Sequence, residues 1–516
     1  MPASSTYRIL AALTGALLFL AALAPFLIVR SHHGTQQLTN LRERERMILK
    51  QEQLRQKANK RNANPAPILV RPASEEAKPS FHFVVSSDCS PFQRWQVLTQ
   101  IHSAIDVGTT GRYTWIMSGC PVTEVKGNKR LDHKSKPHGQ DGSLLIGASV
   151  LADVQRNFPA LCGESAQADS SDPSKSLGCP SVHFTPDFSD MSIYGGPYAD
   201  GKKRRFYTNK DGKTTYSSYG NTYYFMNKPS GLKHWSDDNA STSFDKDANE
   251  AIVLIDPDFI FMKKFEVPGN ITAWPGAPIA AHYGLGDQWL DFNLTNICGP
   301  DSLCARTTSK VTKEKGLSAG PPYVIHAHDV NALATRWKEL VPPTYEEYPL
   351  LYAEMFAYSA AAADLDLPHT LVRDIVSGCM VSWPRNVDIK TVQPVAERFI
   401  DSFDASVNDI LLPEEGVKSC FTDNIGQTPL LHFCKRYPFR LNNGTHLVLA
   451  KRRVPHDAVD CDNDEALMPW QDEGKEPSPK GFKRNKEELW NALGVCAIIR
   501  GVAFAKEQGC KIEKTA

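Results

Sequence analysis

Residues 251–261 read Ala251-Ile-Val-Leu-Ile-Asp256-Pro-Asp258-Phe-Ile-Phe261. The apolar run before Asp256 is rich in β-branched residues, which is typical of a strand buried on both faces of a sheet. Pro257 cannot continue a central strand, so the strand ends between two carboxylates. We therefore predict an α/β fold in which Asp256 and Asp258 lie at the carboxyl edge of the sheet, where such folds bind their ligands.

Two carboxylates in this position suit a divalent cation that carries a diphosphate, because Mn²⁺ and Mg²⁺ both prefer oxygen ligands. Asp-x-Asp pairs are usually solvated turns, and other pairs in this chain begin at Asp245, Asp364, Asp460 and Asp462. The pair at Asp256 differs from them because it directly follows a buried type of strand and precedes a second apolar run. We assign Asp256 and Asp258 as metal ligands.

The N-terminal region predicts a membrane protein. The uncharged stretch 9–29 lies between Arg8 and Arg30 and is long enough to cross a bilayer as a helix. A cleaved signal peptide is the alternative, since Ala22 and Ala24 are small residues suited to cleavage. All 12 cysteines follow this stretch. Sequons for N-glycosylation begin at Asn239, Asn270, Asn293 and Asn443. We expect a single-pass anchor with the body of the protein in the lumen of the secretory pathway.

The net charge bears on possible binding partners, and the length of the chain bears on the number of domains. The formal net charge is zero, which offers no electrostatic support for nucleic-acid binding. A chain of 516 residues is long enough for more than one domain. We predict a cytosolic tip and anchor at 1–30, a helical and Pro-rich stalk at 31–80, an α/β domain at 81–385 with an irregular insertion at about 119–220, and a Cys-rich C-terminal subdomain at 386–516.

Apolar periodicity predicts the main elements of the body. The strand 81–86, the helix 91–105 and the strand 113–117 form an opening β-α-β unit. Later predictions are a helix from Pro229, a strand and turn at 278–284, a strand at 323–326, helices at 330–340 and 349–363, and a short strand at 429–434. Cys162 and Cys179 are candidates for closing a loop, and Cys298 and Cys304 bracket another.

Two ionisable residues lie in apolar elements. Glu354 is the one charged residue of the helix 349–363, and a buried carboxylate needs a partner or a function. It could cap a helix or pair with a structural arginine, or it could line the active site. His432 lies in the apolar strand 429–434, where it could be a structural histidine or a third metal ligand.

The order of several motifs carries a resemblance. They are residues 81–95 (FHFVVSSDCSPFQRW), Asn227-Lys228-Pro229 before Trp235, Ile255-Asp-Pro-Asp258, Ala280-Ala-His-Tyr-Gly284 and Tyr352-Ala-Glu-Met-Phe-Ala-Tyr358. This order resembles that of the plant and algal peptidyl serine α-galactosyltransferase and hydroxyproline O-arabinosyltransferase family. The likeness covers about residues 81–374 apart from the insertion, and continues thinly through 432–437 and 451–455.

The resemblance implies a GT-A-type nucleotide-sugar fold with a mixed sheet, a single-pass Golgi membrane protein, a UDP-sugar donor, Mn²⁺ or Mg²⁺, and Ser or hydroxyproline of a wall-type glycoprotein as acceptor. Asp256 and Asp258 match the family's Asp-x-Asp position, and Glu354 matches its Glu-Met-aromatic motif. Pro257 resembles the arabinosyl branch, whereas His282-Tyr-Gly284 resembles the galactosyl branch. Donor sugar and acceptor residue therefore stay open.

We accordingly expect a metal-dependent glycosyltransferase, because a divalent cation can neutralise a departing diphosphate. The alternative is a catalytically inactive, membrane-anchored glycan- or glycoprotein-binding protein of the same fold. A hydrolase is not supported, since the chain contains no Gly-x-Ser-x-Gly or His-Glu-x-x-His motif. The predicted site residues are Glu354 for catalysis, Asn227, Lys228, Asp256 and His282 for binding the donor, and Asp256, Asp258 and His432 for the metal.

Overall fold

The computed structural model describes residues 78–120, 150–151, 154, 157–162, 176–194, 206–217, 219–238, 248–378, 389–406, 428–434, 436–461, 463, 467, 469–471 and 483–511. The predicted anchor at 9–29 and the stalk up to residue 77 lie outside these ranges. All of the described residues belong to one compact unit, Lys78–Ala516.

The described strands are β1 (Ser80–Asp88), β2 (Arg112–Ser118), β3 (Ser181–Thr185), β4 (Phe206–Thr208), β5 (Thr214–Tyr216), β6 (Glu250–Ile255), β7 (Phe259–Phe261), β8 (Ile279–His282), β9 (Ala319–His326), β10 (Thr370–Val372), β11 (Val376–Gly378), β12 (Leu430–His432), β13 (Arg436–Arg440), β14 (His446–Ala450) and β15 (Trp470–Gln471). The described α-helices are α1 (Pro91–Asp106), α2 (Pro159–Cys162), α3 (Asn227–Asp237), α4 (Leu294–Cys298), α5 (Ser309–Glu314), α6 (Ala327–Glu347), α7 (Ala353–Asp364), α8 (Ile389–Ser406) and α9 (Lys486–Lys511).

The opening β-α-β unit is confirmed. The hydroxyl of Ser90 caps α1 by accepting from the backbone N–H of Gln93, and Pro91 occupies a first-turn position that needs no donor. Strands β1 and β2 run parallel. Gly111, at a φ of 129°, directly precedes β2, and a side chain there would place its Cβ 2.4 Å from the carbonyl oxygen of Phe81. Glycine therefore allows β2 to begin directly beside β1.

Strand β6 lies at the centre of a seven-stranded mixed sheet of order β10-β8-β9-β6-β1-β2-β3. It pairs in parallel with β1 and antiparallel with β9. Its successive side chains enter two hydrophobic cores: Val253 packs into the core on one face, and Leu254 into the core on the other. All six residues of β6 are buried, so the predicted strand and the predicted α/β class with a mixed sheet are confirmed.

The two long helices before the tail differ from their predictions in length. Helix α6 extends beyond the predicted 330–340 on both sides and includes Pro342 and Pro343. Helix α7 begins at Ala353 rather than at residue 349, because the backbone first makes a turn in which Ala353 N–H donates to the Leu350 carbonyl. Glu354 consequently lies in the first turn of α7.

The C-terminal helix α9 shares a hydrophobic core with the first β-α-β unit. Leu493 and Ile498 are fully buried in this core. Gly501 brings α9 close to α1, since an added Cβ would lie 2.9 Å from the Thr99 side chain. Arg500 also forms an ion pair with Asp106 at 2.8 Å. The described part of the predicted C-terminal subdomain is thus packed directly on the α/β body.

In the described part of the chain, one helical segment, Lys486–Gln508 of α9, is long and apolar enough by composition to cross a membrane. Within its apolar window, 78% is buried inside the protein. Core helices share this composition, and the predicted anchor at 9–29 stays a prediction.

Every cysteine that the structure describes is in a disulfide. Disulfides join Cys89 to Cys120, Cys162 to Cys179, Cys298 to Cys304, and Cys461 to Cys510. Cys434 and Cys496 are disulfide-bonded as well. The predicted loop closure between Cys162 and Cys179 is confirmed.

Candidate metal centre

The turn after β6 is fixed by helix α1. The N–H of Phe259 donates to the carbonyl of Asp256 at 3.2 Å, which closes the turn around Pro257. The side-chain amide of Gln100 donates to the carbonyls of Asp256, at 2.7 Å, and Phe259, at 3.2 Å. Both aspartates of the turn therefore have a fixed backbone at the carboxyl edge of β6.

The tail strand β12 brings His432 to this edge. Strand β12 pairs antiparallel with β7, with His432 opposite Phe259. The N–H of Phe433 donates to the carbonyl of Asp258 at 2.7 Å. As a result, ligand atoms of Asp256, Asp258 and His432 all lie within 4.8 Å of one another. The three residues predicted as metal ligands are thus together in the structure.

Asp258 is buried between two basic side chains. Its Oδ1 lies 3.1 Å from His432 Nε2, and its Oδ2 lies 2.6 Å from the Nζ of Lys451. Burial alone would raise the pKa of Asp258, but the charges and hydrogen bonds of His432 and Lys451 outweigh it and hold the pKa well below its ordinary range. Asp258 is therefore an anion at neutral pH.

Asp256 and Glu354 share one lysine. Lys228, in the first turn of α3, places Nζ 2.7 Å from Asp256 Oδ1 and 3.2 Å from Glu354 Oε1. Burial alone would lower the pKa of Lys228, but the charges of Asp256 and Glu354 raise it above its ordinary value. Lys228 is therefore a cation that links a predicted metal ligand to the predicted catalytic carboxylate.

Glu354 is 2% exposed, and its backbone is held on both sides. Its N–H donates to the Tyr223 hydroxyl at 2.8 Å, and its carbonyl accepts from the Trp337 indole at 2.8 Å. Its Oε1 attracts Lys228 but has no well-aligned donor among the residues described. Burial raises the pKa of Glu354 to about 7, with Lys228 opposing the rise and Asp256 adding to it. The partner of Glu354 is a lysine, not the structural arginine that was the alternative.

The other two predicted donor-binding residues lie in different surroundings. The carboxamide of Asn227 accepts from the Phe188 N–H at 2.7 Å and donates to Asp187 at 3.1 Å, so it holds the loop after β3. His282 is half-buried at the end of β8, and no contact with the described metal-ligand candidates is seen. Their predicted contacts with a donor stay predictions.

Sequence reasoning did not single out Lys451 as a site residue. It lies in a 3₁₀ turn, Lys451–Arg453, that follows β14. Its Nζ also lies 5.8 Å from the ring centroid of Phe92, in the first turn of α1. The basic triplet Lys451-Arg-Arg was the available signal, but its position near Asp258 depends on the fold of the tail.

The donor set fits a divalent cation. In each aspartate, one oxygen contacts a lysine: Oδ1 of Asp256 and Oδ2 of Asp258. Asp258 Oδ1 faces His432 Nε2 instead. Two carboxylate oxygens and one imidazole nitrogen suit a first-row ion such as Mn²⁺ better than Mg²⁺, which prefers oxygen alone.

No model of a known protein family matches the chain, and no curated protein matches it significantly. The resemblance drawn from the motifs therefore stays a prediction, and function is inferred from the chemistry of the site.

Proposed function

We propose that this chain is a metal-dependent glycosyltransferase that moves a sugar from a UDP-sugar to Ser or hydroxyproline of a wall-type glycoprotein. The proposal depends above all on the meeting of Asp256, Asp258 and His432 within 4.8 Å at the carboxyl edge of a central strand. In α/β sheets this edge is where nucleotides bind. We also propose a GT-A-type nucleotide-sugar fold, with which the mixed seven-stranded sheet is compatible.

The roles of the residues follow from the chemistry of leaving-group departure. Asp256, Asp258 and His432 would hold Mn²⁺, which when bound would offset the charge of the departing diphosphate. Lys451 helps to hold Asp258 as an anion, which is the form that binds a metal ion. Lys228 pairs with Oδ1 of Asp256.

Glu354 is the proposed catalytic residue. A buried carboxylate with a raised pKa beside the candidate metal ligands is a mark of a functional site. Lys228 forms ion pairs with both Asp256 and Glu354, so the charge of Glu354 lies close to that of a proposed metal ligand. Ionised Glu354 would orient the transferred sugar or stabilise positive charge that develops on it.

The surface and the cysteines support a lumenal body on the Golgi membrane. Disulfides persist in oxidising compartments such as the secretory pathway. Of the predicted glycosylation sites, Asn270, Asn293 and Asn443 lie in the described part of the chain, and all three are exposed. Attachment of glycans at these positions would not require the fold to open.

The test is turnover of full-length protein, purified in detergent, with a panel of UDP-sugars and Mn²⁺. Release of UDP from one donor, abolished by a chelator and restored by Mn²⁺, is the expected result. If no donor turns over while UDP-sugars still bind, the chain is the alternative, a catalytically inactive glycan- or glycoprotein-binding protein.

A further inference from the structure

Tyr283 contacts the imidazole of His432 on the side away from Asp258. Its hydroxyl lies 3.1 Å from His432 Nδ1, whereas Asp258 Oδ1 lies 3.1 Å from Nε2. Tyr283 is 6% exposed, so water does not compete freely for its hydroxyl. The two nitrogens of the ring therefore face two different oxygen atoms, one phenolic and one carboxylate.

A glycine on the neighbouring strand makes this contact possible. Strands β8 and β9 pair antiparallel with an irregularity between Ala280 and Ala281, just before Tyr283. A Cβ added to Gly320 of β9 would lie 2.2 Å from the Cβ of Tyr283 and 2.4 Å from its Cγ. Any side chain at position 320 would displace Tyr283. Because Gly320 has no side chain, the Tyr283 side chain can pack against β9 with its hydroxyl at His432.

The backbone of His432 is held separately from its ring. The ladder to β7 places His432 opposite Phe259, and the Tyr437 hydroxyl donates to the His432 carbonyl at 2.7 Å. These contacts fix the backbone of the residue, and the ring packs against Phe259 with the ring centroids 4.6 Å apart. A hydrogen bond to Nδ1 is the kind of contact that sets the direction of Nε2.

We propose that Tyr283 is a positioning residue of the metal centre, which holds the His432 ring so that Nε2 faces the cation. The inference rests on the proposed metal site and assigns a residue that acts on it. Metal-ligating histidines generally donate the proton of their other nitrogen to a nearby acceptor, which fixes both the tautomer and the ring orientation. With the metal bound, Nδ1–H would donate to the phenolic oxygen of Tyr283, and the lone pair on Nε2 would be left for the metal.

The test compares two Tyr→Phe variants of the full-length protein. Tyr283→Phe removes only the hydroxyl at His432. Tyr358→Phe is the matched control, because its hydroxyl bonds to another buried imidazole, His369 Nε2, at 2.8 Å and outside the metal centre. Mn²⁺ is titrated with and without saturating UDP, free Mn²⁺ is followed by its electron paramagnetic resonance signal, and the melting temperature is recorded for each protein.

We expect Tyr283→Phe to bind Mn²⁺ about ten- to a hundredfold more weakly than wild type, as is typical when a hydrogen-bond partner of a metal ligand is removed. Tyr358→Phe should melt at a lower temperature with unchanged Mn²⁺ affinity. Gly320→Ala is a second variant and should also weaken Mn²⁺ binding, because its Cβ displaces Tyr283.

The outcomes separate this inference from the proposed function. Unchanged Mn²⁺ affinity in Tyr283→Phe, with or without a fall in melting temperature, overturns the role of Tyr283 and leaves the metal site intact. A wild-type protein that binds no Mn²⁺ under either condition overturns both the site and the role. A wild-type protein that binds Mn²⁺ but transfers no sugar overturns only the proposed function.

Discussion

Two Asp-x-Asp pairs in this protein have the same spacing and different surroundings. Asp256 and Asp258 follow a buried central strand and contact side chains from α3, β12 and the turn after β14. Asp364 ends helix α7 and pairs with Arg336 of α6 at 2.7 Å. Asp366 is exposed, has a φ of 55° and pairs with Lys315. The pair Asp364 and Asp366 lies at the end of a helix. The pair Asp256 and Asp258 contacts side chains from three separate segments of the chain.

Solvent explains why the two pairs differ in chemistry. Asp366 is 58% exposed, so water screens its ion pair with Lys315. Asp258 is 8% exposed, and its carboxylate contacts Lys451 Nζ and His432 Nε2 rather than bulk water. Spacing alone therefore does not make a metal site. Position at the end of a buried central strand, together with contacts to Lys228, His432 and Lys451, is what distinguishes Asp256 and Asp258.

The largest effect is expected for Asp258→Asn. The change keeps the shape of the side chain but removes a charged metal ligand, so sugar transfer should fall by at least about a hundredfold. The melting temperature should fall too, because Lys451 and His432 lose their anionic partner in a buried site. Measuring UDP release at saturating Mn²⁺ checks the first effect, and full activity in the variant would remove the basis for the metal centre.

Glu354→Gln should change how stability depends on pH. In the wild type, the pKa of Glu354 is raised from 4.5 to about 7, so the folded state holds the proton more tightly than the unfolded chain. The resulting stabilisation is full below pH about 4.5 and is lost as the pH rises to about 7. The free energy of unfolding of the variant lacks this loss, which should be on the order of 3 kcal/mol.

Urea unfolding of both proteins between pH 4.5 and 7.5, in the presence of a chelator, measures this difference. Sugar transfer by Glu354→Gln should also fall, because the ionised carboxylate is gone. Parallel stability curves with normal activity would make Glu354 a peripheral residue.

Asp364→Asn should lower stability moderately and leave turnover unchanged. It weakens a partly buried ion pair with Arg336, which should cost about 1 kcal/mol in the free energy of unfolding. Thermal unfolding and the UDP-release assay on the same preparation separate the two effects. A loss of turnover larger than the loss of folded protein would mean that the two Asp-x-Asp pairs are not distinct in function.

The smallest effect is expected for Asp366→Asn. Asparagine tolerates the left-handed backbone at this position, and the exposed pair with Lys315 is screened by water. The free energy of unfolding should change by less than about 0.5 kcal/mol. This variant is the control for Asp258→Asn, since it makes the same substitution at the same place in an Asp-x-Asp pair.

Local pattern predicted the elements that carry the site. Strand β6 was predictable because its apolar run has no interruption before Asp256, and α1 because Pro91 and Ser90 mark its start. The boundary of α7 was not predicted, because the turn before Ala353 is made by backbone hydrogen bonds that leave no clear mark in the sequence. The carboxylates themselves could thus be placed at a sheet edge from sequence alone.

Two other contacts of the site, those of Lys451 and Tyr283, could not be predicted in the same way. Lys451 reaches Asp258 only because the tail returns through β12 and pairs with β7. Tyr283 reaches His432 only because Gly320, on another strand, has no side chain. Such contacts depend on how distant segments pair, and neither composition nor periodicity records that pairing.

The most direct test of the metal centre is anomalous X-ray scattering at the manganese edge, from crystals grown with Mn²⁺ and UDP. The account predicts one strong peak bounded by Asp256, Asp258 and His432, and its loss in crystals of Asp258→Asn. A peak at another site, or no peak among these three side chains at saturating Mn²⁺, would contradict it.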